Sequence, residues 1–175
     1  MSMARTAIAT KTEPLSITRK WPSLLLIKLG RITLHRFTDA LAPLGLKPRH
    51  VAALIELRDS GPLTQQALVE RLHLDPTNVV AVLNELERNG LAERRRDPED
   101  RRRHIVEASP KARATLDKAE HAMDKAEAEL FDALDDGERV LLEELLTTAW
   151  HGSGGIEAYH EAAAADPDPT ELPKT

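Results

Sequence analysis

LDPTNVVAVLNELERNGLAERRRDPEDRRRHIVE, residues 74–107, holds two patterns joined at one glycine. The first is helical. Asp75 can accept backbone N–H groups as an N-cap, and Pro76 suits the first helical position because its missing N–H is not needed there. Val79, Val82, Leu83 and Leu86 fall on one face, and Asn89-Gly90 ends the run, glycine being free to take the left-handed C′ conformation. The second pattern is a hairpin. Two short strand-like runs flank Asp97-Pro98-Glu99-Asp100, where proline presets a turn and the Asp side chains can bond nearby N–H groups. Six arginines against three acids leave a charge of +3 over residues 94–103. A salt-bridged surface hairpin would explain some of this charge, but arginine is also the side chain best suited to phosphates and narrow minor grooves.

The outer face of the helix over residues 76–88 decides between those readings. It shows Pro76, Thr77, Asn78, Val80, Ala81 and Asn84, with no charge before Glu85. A solvated helix face is normally charged. An uncharged one can settle into a major groove, where Asn pairs with adenine and Thr, Val or Ala meets thymine methyls. Upstream, Pro48 to about Asp59 forms a helix through Val51, Leu54, Ile55 and Leu57. Gly61-Pro62 stops it, and Thr64 caps a short helix from Gln65 to Leu72. Two helices, a tight turn and a capped third helix make a helix-turn-helix, with the hairpin as its wing.

Further out, a helix from about Pro22 to Leu41 is apolar on more than one face, as though it served two partners. After Ser109-Pro110 a long helix extends to about Leu134. Its apolar residues Ala112, Leu116, Ala119, Met123, Ala126, Leu130 and Ala133 alternate steps of four and three, a 3.5-residue seam that demands a partner helix. Asp135-Asp136-Gly137-Glu138 opens a last helix to about Trp150, with Val140, Leu141, Leu145 and Leu146 on its buried face. The expected organisation is a flexible arm over 1–20, a dimerisation helix over 21–44, a winged helix-turn-helix over 45–108, two dimerisation helices over 109–150 and a flexible acidic tail over 151–175. The fold class is therefore mainly α, six helices plus a two-stranded β wing.

Composition agrees. The net charge of −5 hides a basic half and an acidic half, +5 over residues 1–108 and −10 over 109–175, so only the first need face a polyanion. The absence of cysteine excludes thiolate catalysis, disulfides and cysteine-held zinc. The seven histidines are scattered without a tetrahedral metal spacing, and no glycine-rich phosphate loop, nucleophile elbow or His-Glu-x-x-His motif occurs. No metal, cofactor or enzymatic activity is expected. No apolar run is long enough to span a bilayer, and a cytoplasmic, nucleoid-associated protein is the expectation.

Residues 74–94 followed by Asp97-Pro98-Glu99-Asp100-Arg101-Arg102 closely resemble the MarR family of bacterial winged helix-turn-helix regulators, and the order of elements agrees over about residues 22–150. The resemblance implies obligate dimers made by the first, fifth and sixth helices and two recognition helices in successive major grooves of a pseudo-palindromic operator. It implies that Asp100 and Arg102 brace the wing and that Arg101 or Arg102 enters a minor groove. It also implies a pocket between the first, second and fifth helices. There His35, Arg36 and His50 are candidates for a small anionic or phenolic ligand whose binding releases a repressor. Candidate DNA contacts are Thr64, Gln65, Pro76, Thr77, Asn78, Val80, Ala81, Asn84, Arg94, Arg96, Arg101 and Arg102. Candidate dimer contacts are Leu25, Leu116, Met123, Leu130 and Leu145. Many family members carry a polar or basic residue at the place of Val80 or Ala81, so readout here would lean on DNA shape. The competing reading is a coiled-coil interaction protein whose basic hairpin binds RNA; the lack of aromatics near the arginines weighs against it.

Overall fold

The computed structural model describes residues 20–98, 100, 103–155 and 157–159. Helix α1 spans Ser23–Leu41 and runs into a 3-10 turn at Ala42–Leu44, where Pro43 breaks the α pattern and Gly45 turns left-handed (φ 67°). Helix α2 spans Pro48–Ser60, strand β1 Leu63–Thr64, helix α3 Gln65–Leu72 and helix α4 Pro76–Arg88. Strands β2 (Ala92–Arg96) and β3 (His104–Ala108) form the hairpin, and helices α5 (Pro110–Leu130) and α6 (Asp136–Gly152) follow.

Local chemistry sets most of these limits. Thr64 Oγ1 accepts the Ala67 N–H at 3.1 Å, Ser109 caps α5 through Ala112, and Asp135 and Glu138 cap α6 reciprocally. Gly90 has φ 68°, which places the expected glycine at the end of α4. The turn between α3 and α4 bends at His73, a non-glycine residue in the left-handed region (φ 52°).

Two features differ from the sequence-based expectation. The wing belongs to a three-stranded antiparallel sheet in the order β1-β3-β2, since Leu63 and Thr64 pair with Val106 and Ile105. A two-residue strand carries too little alternation to register as one. Helix α5 also stops at Leu130 instead of continuing to 134. The Leu134 N–H turns back to the Phe131 carbonyl at 2.9 Å, and Arg139 donates to the carbonyls of Ala128, Phe131 and Leu134. A guanidinium thus takes acceptors that another helical turn would have used.

One core joins α2, α3, α4, the sheet and α5. Leu54, Leu68, Val79, Val82, Leu83 and Leu86 are fully enclosed, and Leu41 brings the end of α1 into the cluster. The 3.5-residue seam of α5 faces the same core. Leu116 is 2% exposed, Ala112, Ala119 and Ala126 are buried, and Met123 packs against the cluster. Leu116, expected from sequence to meet a second chain, is instead enclosed by its own chain, and Met123 is half-buried; α1 and α2 of the same chain pack against the seam. Leu130 is half-buried.

The unsatisfied apolar surface lies elsewhere. In α1 only Leu41 is buried, while Leu25, Leu26, Ile27, Leu29, Ile32 and Leu34 stand exposed. Helix α6 buries nothing, and its Val140, Leu141, Leu145, Leu146 and Trp150 are open, not on a buried face of their own chain. Among the described residues no helix is long and apolar enough to cross a membrane.

Candidate nucleic-acid interface

Helix α4 is presented by a set of intramolecular ties. Asp75 Oδ1 accepts the N–H groups of Thr77 (2.8 Å) and Asn78 (3.0 Å), and Asp75 Oδ2 accepts from Asn78 Nδ2. The backbone N–H of Asn78 and those neighbouring donors hold the Asp75 carboxyl below its usual range despite some desolvation. Thr77 and Pro76 are exposed, Asn78, Val80 and Ala81 are partly exposed, and Asn84 is exposed further along the same helix. The polar side chains at the head of α3 behave differently. Thr64 is the cap of that helix, and Gln65 is half-buried at its first position.

Glu85 fixes the pitch of α4 against α2. Its carboxylate lies 3.1 Å from Lys47 Nζ, 3.3 Å from Arg49 Nη2 and 2.8 Å from His50 Nε2. His50 is 1% exposed, and its Nδ1 accepts the Lys47 N–H at 3.2 Å, which leaves the proton of the neutral ring on Nε2. The Nε2–Glu85 approach is short but oblique to the ring N–H, a charge contact more than an aligned hydrogen bond. Burial lowers the His50 pKa from its ordinary 6.5 and outweighs the attraction of Glu85, while Arg49 and Lys47 push the same way. Burial alone would raise Glu85; Lys47, His50 and Arg49 together bring it below its ordinary value. His50 is thus a closed structural histidine. It cannot greet a ligand, and that expectation is corrected by its burial.

The wing is tied to α4 at Arg94. Its backbone N–H donates to Glu87 Oε1 at 3.1 Å, its Nη1 pairs with Glu87 Oε2, and the same Nη1 donates to Asn84 Oδ1 at 2.9 Å. Arg94, a candidate DNA contact from sequence, is therefore engaged in holding β2 to α4. Arg95 pairs with Glu107 at 2.7 Å across the hairpin. Arg96 and Arg103 are exposed, and the loop closes through Asp97 N–H to Arg103 O (3.0 Å) and Arg103 N–H to Asp100 O (2.9 Å). Arg101 and Arg102, and with them the Asp100–Arg102 brace, lie outside the described residues.

Of the other candidates, His35 is exposed 3.4 Å from Asp39, one turn away on α1. Arg36 lines an open cleft of about 440 Å³ between α1 and α5 with Asp39, Ala40, Ala122, Lys125, Ala126 and Glu129. The structure therefore separates His35, Arg36 and His50 and does not gather them into one pocket. Sequence reading missed the roles of Glu85, Glu87, Lys47 and Arg49. The one signal available was that Glu85 is the first charge on an otherwise uncharged face.

A capped helix presented beside an arginine-bearing β hairpin, over a helix-turn-helix core, defines a winged helix-turn-helix protein. The model of the MarR family matches residues 44–103, from the 3-10 turn to the end of the wing loop. The HTH-type transcriptional regulator YkoM of Bacillus subtilis is 36% identical over 118 residues, covering 66% of this chain and 72% of YkoM. A Thauera aromatica protein that bears the name of a transcriptional regulatory protein for the hcr operon is 31% identical over 102 residues; the match covers 58% of this chain and 61% of that protein. The fold also matches a mutant of MarR from Escherichia coli solved with operator DNA, at a TM-score of 0.67 and 22% identity, over 78% of this chain and 99% of that one. The chain belongs to the MarR family, whose members here are transcriptional regulators and not enzymes.

Proposed function

We propose that this chain is a transcriptional regulator that binds duplex DNA as a homodimer and acts as a repressor released by a small ligand. One observation carries the DNA reading. The outer face of α4, uncharged through Asn84, is held at a fixed pitch by Glu85 and Arg94 beside exposed Arg96 and Arg103. An uncharged reading face flanked by guanidinium groups suits a groove between two phosphate ridges. The E. coli relative of the same fold, solved with operator DNA, supports that reading. Two symmetric heads call for a pseudo-palindromic operator.

The dimer reading rests on the open apolar faces of α1 and α6, with Leu25 and Leu145 among them. Filling of the α5 seam from within removes the main support for a coiled-coil protein that recruits partners through that helix. The ligand reading rests on Arg36 and Lys125 in the α1–α5 cleft. Lys125 is already 4.0 Å from Glu129, so an anion competes with an existing pair and a weak affinity is expected.

Fluorescence anisotropy with random duplex, selected duplex and single strands, across a salt series, tests the central claim. Duplex must be preferred, and selected duplex must outbind random duplex at physiological salt. Equal affinity for single strands would sink it. An Arg36→Ala variant that keeps operator affinity but loses a response to benzoate, a simple aromatic anion, would support the ligand site; an unchanged response would remove it.

A further inference from the structure

Two acids of α4 stand on opposite flanks of its reading face. Successive residues turn about 100° around a helix, so Glu85 lies about 100° from Asn84 on one side and Glu87 about 60° from it on the other. Each acid holds cations from a different element. Glu87 holds Arg94 of β2, and that flank continues into the exposed Arg96 and Arg103 of the wing. Glu85 holds Lys47 Nζ at 3.1 Å and Arg49 Nη2 at 3.3 Å, both from the head of α2. The flank away from the wing is thus basic too.

We infer that Lys47 and Arg49 form a second phosphate grip on duplex DNA, on the flank of α4 opposite the wing. This rests on the DNA-binding reading above. A helix with its side chains is about 10–12 Å across and the major groove is about 12 Å wide, so a helix seated there meets a phosphate ridge on each flank. The charge balance suits an anion. Burial keeps the His50 ring neutral at neutral pH, so two cations share the single carboxylate of Glu85, which leaves a surplus of one positive charge. Among the described residues neither cation pairs with another acid. Both also keep donors to spare. Lys47 has three N–H groups, gives one to Glu85 and is 51% exposed, and Arg49 gives one of its five. A phosphate oxygen can therefore bind without breaking either pair. Glu85 is a positioning residue in this scheme: it aims both cations along the flank, and its own charge is already matched before the polyanion arrives.

The test is duplex binding by the full chain across a salt series. Lys47→Gln combined with Arg49→Gln should lower the salt slope by about two, on random and selected duplex alike. Lys47→Arg combined with Arg49→Lys keeps both charges and should keep the slope. Thermal midpoints check that each variant is folded; should the neutral pair unfold, Lys47→Gln alone, at the more exposed position, should lower the slope by about one. Phosphate ethylation interference on a selected duplex then locates the grip. The neutral variant should lose interference at phosphates that Arg96→Ala leaves intact. An unchanged slope in the neutral variants, or loss at the same phosphates as Arg96→Ala, overturns the inference while leaving DNA binding intact. A wild-type chain without salt-dependent duplex binding overturns the DNA reading itself.

Discussion

Between residues 35 and 139 no large apolar side chain among the described residues is exposed, whereas α1 and α6, on either side of that stretch, expose eleven, from Leu25 to Trp150. The head also pairs many of its charged groups internally. Glu85 collects Lys47, Arg49 and His50, Glu87 collects Arg94, and Arg58 joins Glu120 of α5 to α2 at 2.7 Å. The contrast separates two kinds of specification. The head is written to be rigid by itself, and α1 and α6 are written to be finished by something else.

The largest effect that could break this comparison lies in α5. Leu116→Ala should cost about 2–5 kcal/mol of folding stability, because it opens a cavity in the chain's own core. Denaturant unfolding should show that loss while sedimentation shows the same oligomer; dissociation without loss of fold would return the seam to the interface. Leu145→Asp should do the reverse. Its side chain is 59% exposed in the chain, so folding should survive, while the proposed dimer weakens by at least about a hundredfold, or ~2.7 kcal/mol, through an unpaired carboxylate in an apolar contact. Analytical ultracentrifugation across a dilution series reads it directly.

Glu85→Ala sharpens the comparison from the head side. It leaves the buried His50 Nε2 and two cations without their common acceptor, at a cost of about 1–3 kcal/mol. The loss should appear in the thermal midpoint and, through the tilt of α4, in affinity for selected duplex more than for random duplex. The same site gives a pH dependence. Because burial lowers the His50 pKa in the folded chain, the unfolded chain takes up the proton first. The stability held by neutral His50 is complete above about the ordinary value of 6.5 and is lost as pH falls through the lowered folded value. Unfolding midpoints should therefore fall between neutral pH and mild acid, and His50→Gln should flatten that slope. The smallest effect belongs to the wing. Arg96→Ala should lower the salt slope of duplex binding by about one and leave sequence preference untouched.

The legible parts of this fold were those written in neighbouring residues. Asp75, Ser109 and Asp135 bond groups within three positions of themselves, and Gly90 needs only its own φ, so caps and ends could be read from sequence. The ownership of the α5 seam was not legible, because a 3.5-residue stripe says that a helix must pack and not which chain supplies the surface. His50 was misread for a related reason. Its partner Glu85 is 35 positions away on another helix, so nothing local distinguished a buried structural histidine from an accessible one. Arg94 counted as one positive charge among six until its tie to Glu87 placed it inside the scaffold.

The joints of α5 have a mechanical consequence. At its start, Ser109 Oγ donates to the Gly90 carbonyl at 2.7 Å, the Ser109 N–H bonds the Leu91 carbonyl at 2.9 Å, and Lys111 Nζ reaches the Asn89 carbonyl at 2.9 Å, all at the exit of α4. At its end, Arg139 stitches the last carbonyls to the entry of α6. A 21-residue helix pinned at both ends is a connecting rod about 32 Å long. Tilting it by some 5° carries one end through about 3 Å, which is the span of a hydrogen bond. Motion imposed where α6 begins is thereby delivered through these hydrogen bonds to the last turn of α4.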